Sequence, residues 1–166
     1  MKKLFIILTL MLIFSVRLTY SQTYDFDLND LDGNSVKLSE MLQKGPVLVQ
    51  FWALWCIPCK EEMRHLGELY GKYKDSGFVY LAVNEDSPKS SAKVKSYIES
   101  KGYKFTVLMD GDGKVFEQSG GQNLPYSVFF NKKGEVLKVY SSYAAGDEIK
   151  LEEDIKQAIT SSKSEK

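Results

Sequence analysis

Residues 47–73 change periodicity abruptly, and that change restricts the folds open to the chain. Val47 to Trp52 is apolar except for Gln50, a run consistent with a buried central strand. Directly after it, Cys59, Met63, Leu66, Tyr70 and Tyr73 recur at spacings of four, three, four and three, which is one buried helical face. Lys60, Glu61, Glu62, Arg64 and Glu68 fall between them on the polar side. A buried strand passing straight into an amphipathic helix is the unit of an α/β fold. At the junction stands Cys56-Ile57-Pro58-Cys59, which holds both cysteines of the 166-residue chain.

The rest of the chain repeats that alternation. Phe26, Leu28, Val36 and Leu38 alternate with polar residues around an Asp32-Gly33-Asn34 turn, so residues 24–38 read as an extended pair. Ser39 could cap a short helix, Ser39 to Gln43, ended by Gly45 and Pro46. Phe78 to Val83 and Phe105 to Met109 read as buried strands, with a helix from Ser87-Pro88 to about Ser100 between them. Asp110-Gly111-Asp112-Gly113 reads as a turn, because Lys114 stands where a calcium loop needs its third ligand. Tyr126 to Phe130 and Glu135 to Tyr140 form a hairpin across Asn131 to Gly134. A final helix opens at Asp147, with Ile149, Ile155 and Ile159 expected inward. Parallel pairing with right-handed crossovers then predicts a central mixed β-sheet with helices on both faces, plus an N-terminal β-hairpin.

The cysteine spacing points to chemistry rather than stapling. A disulfide that closes so small a loop removes little entropy from the unfolded chain. The thiolate is the reactive species, and a free cysteine with a pKa of ~8.5 is mostly protonated at neutral pH. Unpaired N–H groups and the partial positive charge of a helix N-terminus favour the thiolate of Cys56. Cys59, one turn in on the apolar face, is placed as a protected thiol. With no further cysteine and His65 as the sole histidine, a tetrahedral zinc site lacks soft ligands. Lys60 after the second cysteine excludes the c-type haem pattern Cys-x-x-Cys-His. His65, six residues after Cys59, is expected on an exposed helix face.

Lys2 and Lys3 followed by apolar Leu4 to Phe14, with Thr19 and Ser21 before Gln22, have the layout of a signal peptide over residues 1–21. The other reading is an uncleaved anchor, although the apolar run is short for a membrane span. Residues 22–162 then form one domain and 163–166 a polar tail. Residues 1–21 hold three cations and no acid, so a chain with 22 basic and 22 acidic residues keeps a net charge of −3 without them. That balance offers no electrostatic case for nucleic acid. The expected location is periplasmic or secreted.

The run Val47 to Lys60, with its Trp-Cys-x-Pro-Cys-Lys core, resembles the active-site strand and helix of thioredoxin-like proteins. The exported layout and the residues ahead of that strand are more similar to the TlpA/ResA branch. The resemblance implies a thioredoxin-like three-layer fold and thiol–disulfide exchange by Cys56 and Cys59 without a cofactor or metal. It also implies a substrate groove around Trp55, Ile57, Pro58, Leu124 and Pro125, with the peptide bond before Pro125 cis. Trp52 could join the rim or belong to the core. Thioredoxins carry a buried Asp in the active-site strand; here that position is Gln50, which cannot titrate. ResA-like proteins use a glutamate after the next strand, which makes Glu85 the proton-handling candidate, against its reading as a solvated loop acid. Expected partners are disulfide-containing proteins and an inner-membrane thiol-relay protein.

Two other functions share this fold. A peroxiredoxin-type thiol peroxidase carries Thr-x-x-Cys, whereas Ala53-Leu54-Trp55-Cys56 lacks the threonine. A non-catalytic binding module would use the groove near Pro125 without needing the cysteines.

Overall fold

Two layers of helix close over a single seven-stranded sheet. The structure, a computed structural model, describes residues 24–164, so the expected signal segment and the last two residues lie outside it. The elements in chain order are β1 (Asp27–Asp30), β2 (Ser35–Lys37), α1 (Leu38–Leu42), β3 (Val47–Trp52), α2 (Ile57–Tyr73), β4 (Val79–Asn84), α3 (Ser91–Lys101), β5 (Thr106–Met109), α4 (Lys114–Gln118), β6 (Tyr126–Phe130), β7 (Val136–Tyr140) and α5 (Asp147–Ser164). The strand order is β2-β1-β5-β4-β3-β6-β7. β3, β4 and β5 run parallel, while β6 pairs antiparallel with β3 and β7 with β6, and the β1–β2 hairpin adds antiparallel to β5. This is the mixed sheet with helices on both faces that the alternation predicts. No helix among the described residues is long and apolar enough to cross a membrane.

β3 shows why its apolar run lacks alternation. Leu48 and Trp52 face a core shared with α2, α3 and α5, while Val47, Val49 and Phe51 face the one under α1 and α4. A strand covered on both sides has no polar face to display. Its entry passes a close crossing of backbones, where a Cβ on Gly45 would stand 2.1 Å from the Gly77 carbonyl oxygen that precedes β4. Glycine there lets β3 and β4 enter the sheet side by side.

Several local expectations are corrected. Ser39 lies inside α1, whose N-cap position is Lys37, and the Ser39 N–H donates to Asp25 Oδ1 at 2.9 Å. The segment after Asp110-Gly111-Asp112-Gly113 forms α4 instead of a plain link. Ile149 is 66% exposed, because α5 buries Leu151, Ile155, Ala158 and Ile159, a stripe that leaves position 149 on the far side of the helix. α5 itself continues to Ser164, two residues into the stretch expected to be a polar tail. His65 is half-buried and lies against the Tyr143 ring, 6.1 Å between centroids.

Candidate active site

The end of β3, the start of α2 and the loop before β6 converge on the two cysteines. Cys56 and Cys59 form a disulfide with Cα atoms 5.3 Å apart. Cys56 is the N-cap of α2, and its Sγ accepts the Cys59 N–H at 3.3 Å. A sulfur at that position receives both a helix-terminal donor and the positive end of the dipole, which stabilises it as an anion once the disulfide is reduced. Pro58 in the first turn needs no partner for its missing N–H. Cys59 is fully buried and Cys56 nearly so.

The loop that delivers Cys56 is tied at both backbone groups of Leu54. Its N–H donates to Asp86 Oδ2 at 2.7 Å, and its carbonyl accepts the Lys60 ammonium at 3.0 Å. Asp86 is itself steadied by Asn84 Nδ2 at 2.9 Å, so the end of β4 sets the approach to Cys56. Around the disulfide, Trp55 and Ile57 are 71% and 69% exposed, and Pro58 is exposed as well. Trp52 is core. The Leu124–Pro125 peptide is cis, and Pro125 is buried. Tyr126, the residue after Pro125, pairs with Phe51 near the end of β3 that runs toward the cysteines. Leu124 packs beside Pro125, against both cores.

Beneath Cys59 lies a buried acid that the sequence reading passed over. Glu62 is 3% exposed. Its Oε2 accepts Gln50 Nε2 at 2.6 Å and its Oε1 accepts Ser127 Oγ at 3.2 Å. Gln50 Nε2 also donates to the Cys59 carbonyl at 3.2 Å, while Gln50 Oε1 accepts Tyr80 Oη at 2.5 Å. Gln50 cannot titrate, but its amide couples the backbone of Cys59 to a carboxylate that can. Burial, opposed by the two hydrogen bonds, pushes the Glu62 carboxyl up to about 7. The missed signal was position: Glu62 lies three residues after Cys59, on the flank of the apolar stripe, and Gln50 is the one polar residue in the facing strand.

Glu85 sits elsewhere. Its backbone N–H donates to the Trp52 carbonyl at 2.9 Å, which fixes it at the C-terminal edge of the sheet. Its charged neighbours are Asp110, Asp112 and Asp86. Burial first, and then these three acids, push its carboxyl up to about 9. Among the described residues no group of side chains is arranged to hold a metal ion.

The profile of the AhpC/TSA family matches residues 20–143. The thiol-disulfide oxidoreductase ResA of Halalkalibacterium halodurans is 36% identical over 120 residues, covering 72% of this chain and 66% of that protein. The chain therefore spans just under two thirds of the length of that curated relative. ResA of Geobacillus thermodenitrificans is 35% identical over 126 residues, covering 76% of this chain and 71% of the relative. A crystal structure from Chlorobium tepidum, described as a thiol:disulfide interchange protein DsbE, superposes with a TM-score of 0.75 at 30% identity, covering 81% of this chain and 93% of the other.

Proposed function

The chain belongs to the AhpC/TSA family and is thioredoxin-like, with curated ResA relatives, and from that membership and its site we propose that it is a thiol–disulfide oxidoreductase acting on disulfides of exported proteins. The observation that carries this reading is the hydrogen bond from the Cys59 N–H to the sulfur of Cys56 at the N-terminus of α2. It marks Cys56 as the thiol most easily ionised.

In the proposed cycle the Cys56 thiolate attacks one sulfur of a substrate disulfide. That bond breaks, a Cys56–substrate disulfide forms, and the other substrate sulfur leaves as a thiolate. Cys59 then gives up its proton and attacks Cys56, which closes the Cys56–Cys59 disulfide and releases the second substrate thiolate. The substrate gains two electrons and the protein loses them. A dithiol donor must recharge the pair, and an inner-membrane thiol-relay protein fits an exported location. Trp55, Ile57, Pro58, Leu124 and Pro125 form the substrate-facing surface. Glu62 is assigned the Cys59 proton, because it shares Gln50 with the Cys59 backbone and titrates close to neutral pH, where a base works best. Glu85, the acid implied by the resemblance, is the competing assignment.

The test is the fate of a protein disulfide mixed with the reduced chain. Cys56→Ser should abolish its reduction, whereas Cys59→Ser should accumulate a mixed disulfide visible by mass. Full reduction by Cys56→Ser would overturn the mechanism. The potential of the pair sets the direction: near −270 mV it acts as a reductant, and toward −120 mV it becomes a disulfide donor. Hydrogen peroxide consumption at a rate exceeding disulfide exchange would favour the peroxidase reading, which Ala53 at the threonine position argues against.

A further inference from the structure

Between the first turns of α2 and the second half of α3 runs a groove of about 480 Å³ that begins at Ile57, the residue next to Cys56. Its α2 wall is one helical face, with Ile57, Lys60 and Arg64 at spacings of three and four. Its α3 side supplies Tyr97 and Lys101, and Tyr103 follows from the next loop. The aromatic floor is fixed by the core: Tyr97 packs on Trp52 with centroids 5.7 Å apart, and Tyr103 packs on Phe105 at 4.9 Å. Gly67 leaves room for those rings, since a Cβ there would stand 3.1 Å from Phe105 and 3.6 Å from Tyr103.

The rim is cationic on a chain with equal numbers of basic and acidic residues. Three cations and one acid, Glu61, line the groove. Lys60 is held over it by the Leu54 carbonyl, and the Lys101 ammonium lies 5.9 Å from the centroid of the Tyr97 ring. Arg64 is partly neutralised by Glu68 at 2.8 Å, which leaves Lys60 and Lys101 as the dominant charges. An exposed isoleucine beside the reactive cysteine, a rigid aromatic floor and a basic rim match one kind of occupant.

Resting on the disulfide-exchange reading above, we propose that this groove binds the polypeptide flanking the substrate's disulfide and selects segments carrying an apolar side chain next to a carboxylate. The apolar group lies on Ile57, Tyr97 and Tyr103, and the carboxylate meets Lys60 and Lys101. The groove begins at Ile57, the neighbour of Cys56 in the chain, so the flank and the disulfide can be bound together.

The experiment compares kcat/KM of the reduced full chain for two peptides with the same disulfide, one flanked by Phe-Glu and one by Phe-Lys. Hydroxyethyl disulfide, which has no flank to reach the groove, is the control. The acidic peptide should be favoured about fivefold at low salt, a preference that shrinks as salt is added. Lys101→Glu should cancel or reverse the preference, Lys101→Arg should keep it, and both should reduce hydroxyethyl disulfide as the parent chain does. Equal rates for the two peptides, a preference for the basic one, or a preference unmoved by Lys101→Glu would overturn the proposal. Failure of the parent chain to reduce hydroxyethyl disulfide at all would instead overturn the exchange reading on which it rests.

Discussion

Glu62 and Glu85 are both acids drawn out of water against the same sheet, Glu62 buried and Glu85 half-buried, yet their surroundings differ in kind. Glu62 lies in a satisfied polar network, with Gln50 and Ser127 donating to its two oxygens and Tyr80 backing Gln50. Glu85 has one buried oxygen without a hydrogen-bond partner and three acids around it, among them Asp110, which also has a buried unpartnered oxygen. Burial raises both carboxyls, but hydrogen bonds pull Glu62 back to about 7 whereas like charges drive Glu85 on to about 9. An acid at about 7 can accept and return a proton near neutral pH. One at about 9 is protonated over that whole range, so it can only donate a hydrogen bond or await a counter-charge.

The largest expected difference is kinetic. Glu62→Gln should slow the Cys59 step by ~100-fold or more near neutral pH and remove the inflection near pH 7, because a positioned base is lost. Glu85→Gln should leave that step within about twofold. Rapid-mixing measurements of mixed-disulfide decay across pH 5 to 9 decide the matter, and the opposite ranking would return the proton-handling role to Glu85.

Stability separates the two acids next. A carboxyl raised in the folded state holds its proton longer than in the unfolded chain, so its contribution is fully present at low pH and is lost as pH rises. For Glu62 the loss runs from ordinary glutamate values to about 7 and amounts to about 3 kcal/mol, after which it is flat. For Glu85 the loss continues to about 9. Denaturant unfolding of Glu62→Gln should therefore lose slope only below about pH 7, while Glu85→Gln should lose slope from ordinary glutamate values up to about pH 9.

A smaller effect tests the like-charge argument. Asp110→Asn should lower the Glu85 carboxyl while leaving Glu62 unchanged, as read by carboxyl NMR titration, since Asp110 is the first charged cause of the Glu85 shift. The same neutralisation with no movement of Glu85 would leave its shift to burial and the other two acids. The least effect is expected from Ser127→Ala, which removes one donor to Glu62 and should raise that carboxyl further at a cost of about 1 kcal/mol.

What the sequence by itself determined is what local spacing encodes. The strand running into the Cys-x-x-Cys helix, the alternating β and α order, the terminal hairpin and both cysteines were legible because each is a pattern within one element. The N-cap place of Cys56 follows from the same junction. The tertiary structure decided everything that depends on which face meets which neighbour. Ile149 looked like core and is exposed, His65 looked exposed and packs on Tyr143, and Glu62 looked like a polar-face residue and is buried. A glutamate can be buried only if donors await it, and its two come from β3 and β6, twelve and sixty-five residues away along the chain. No helical period could reveal them, because burial of a polar group is settled by partners that only the assembled sheet brings together.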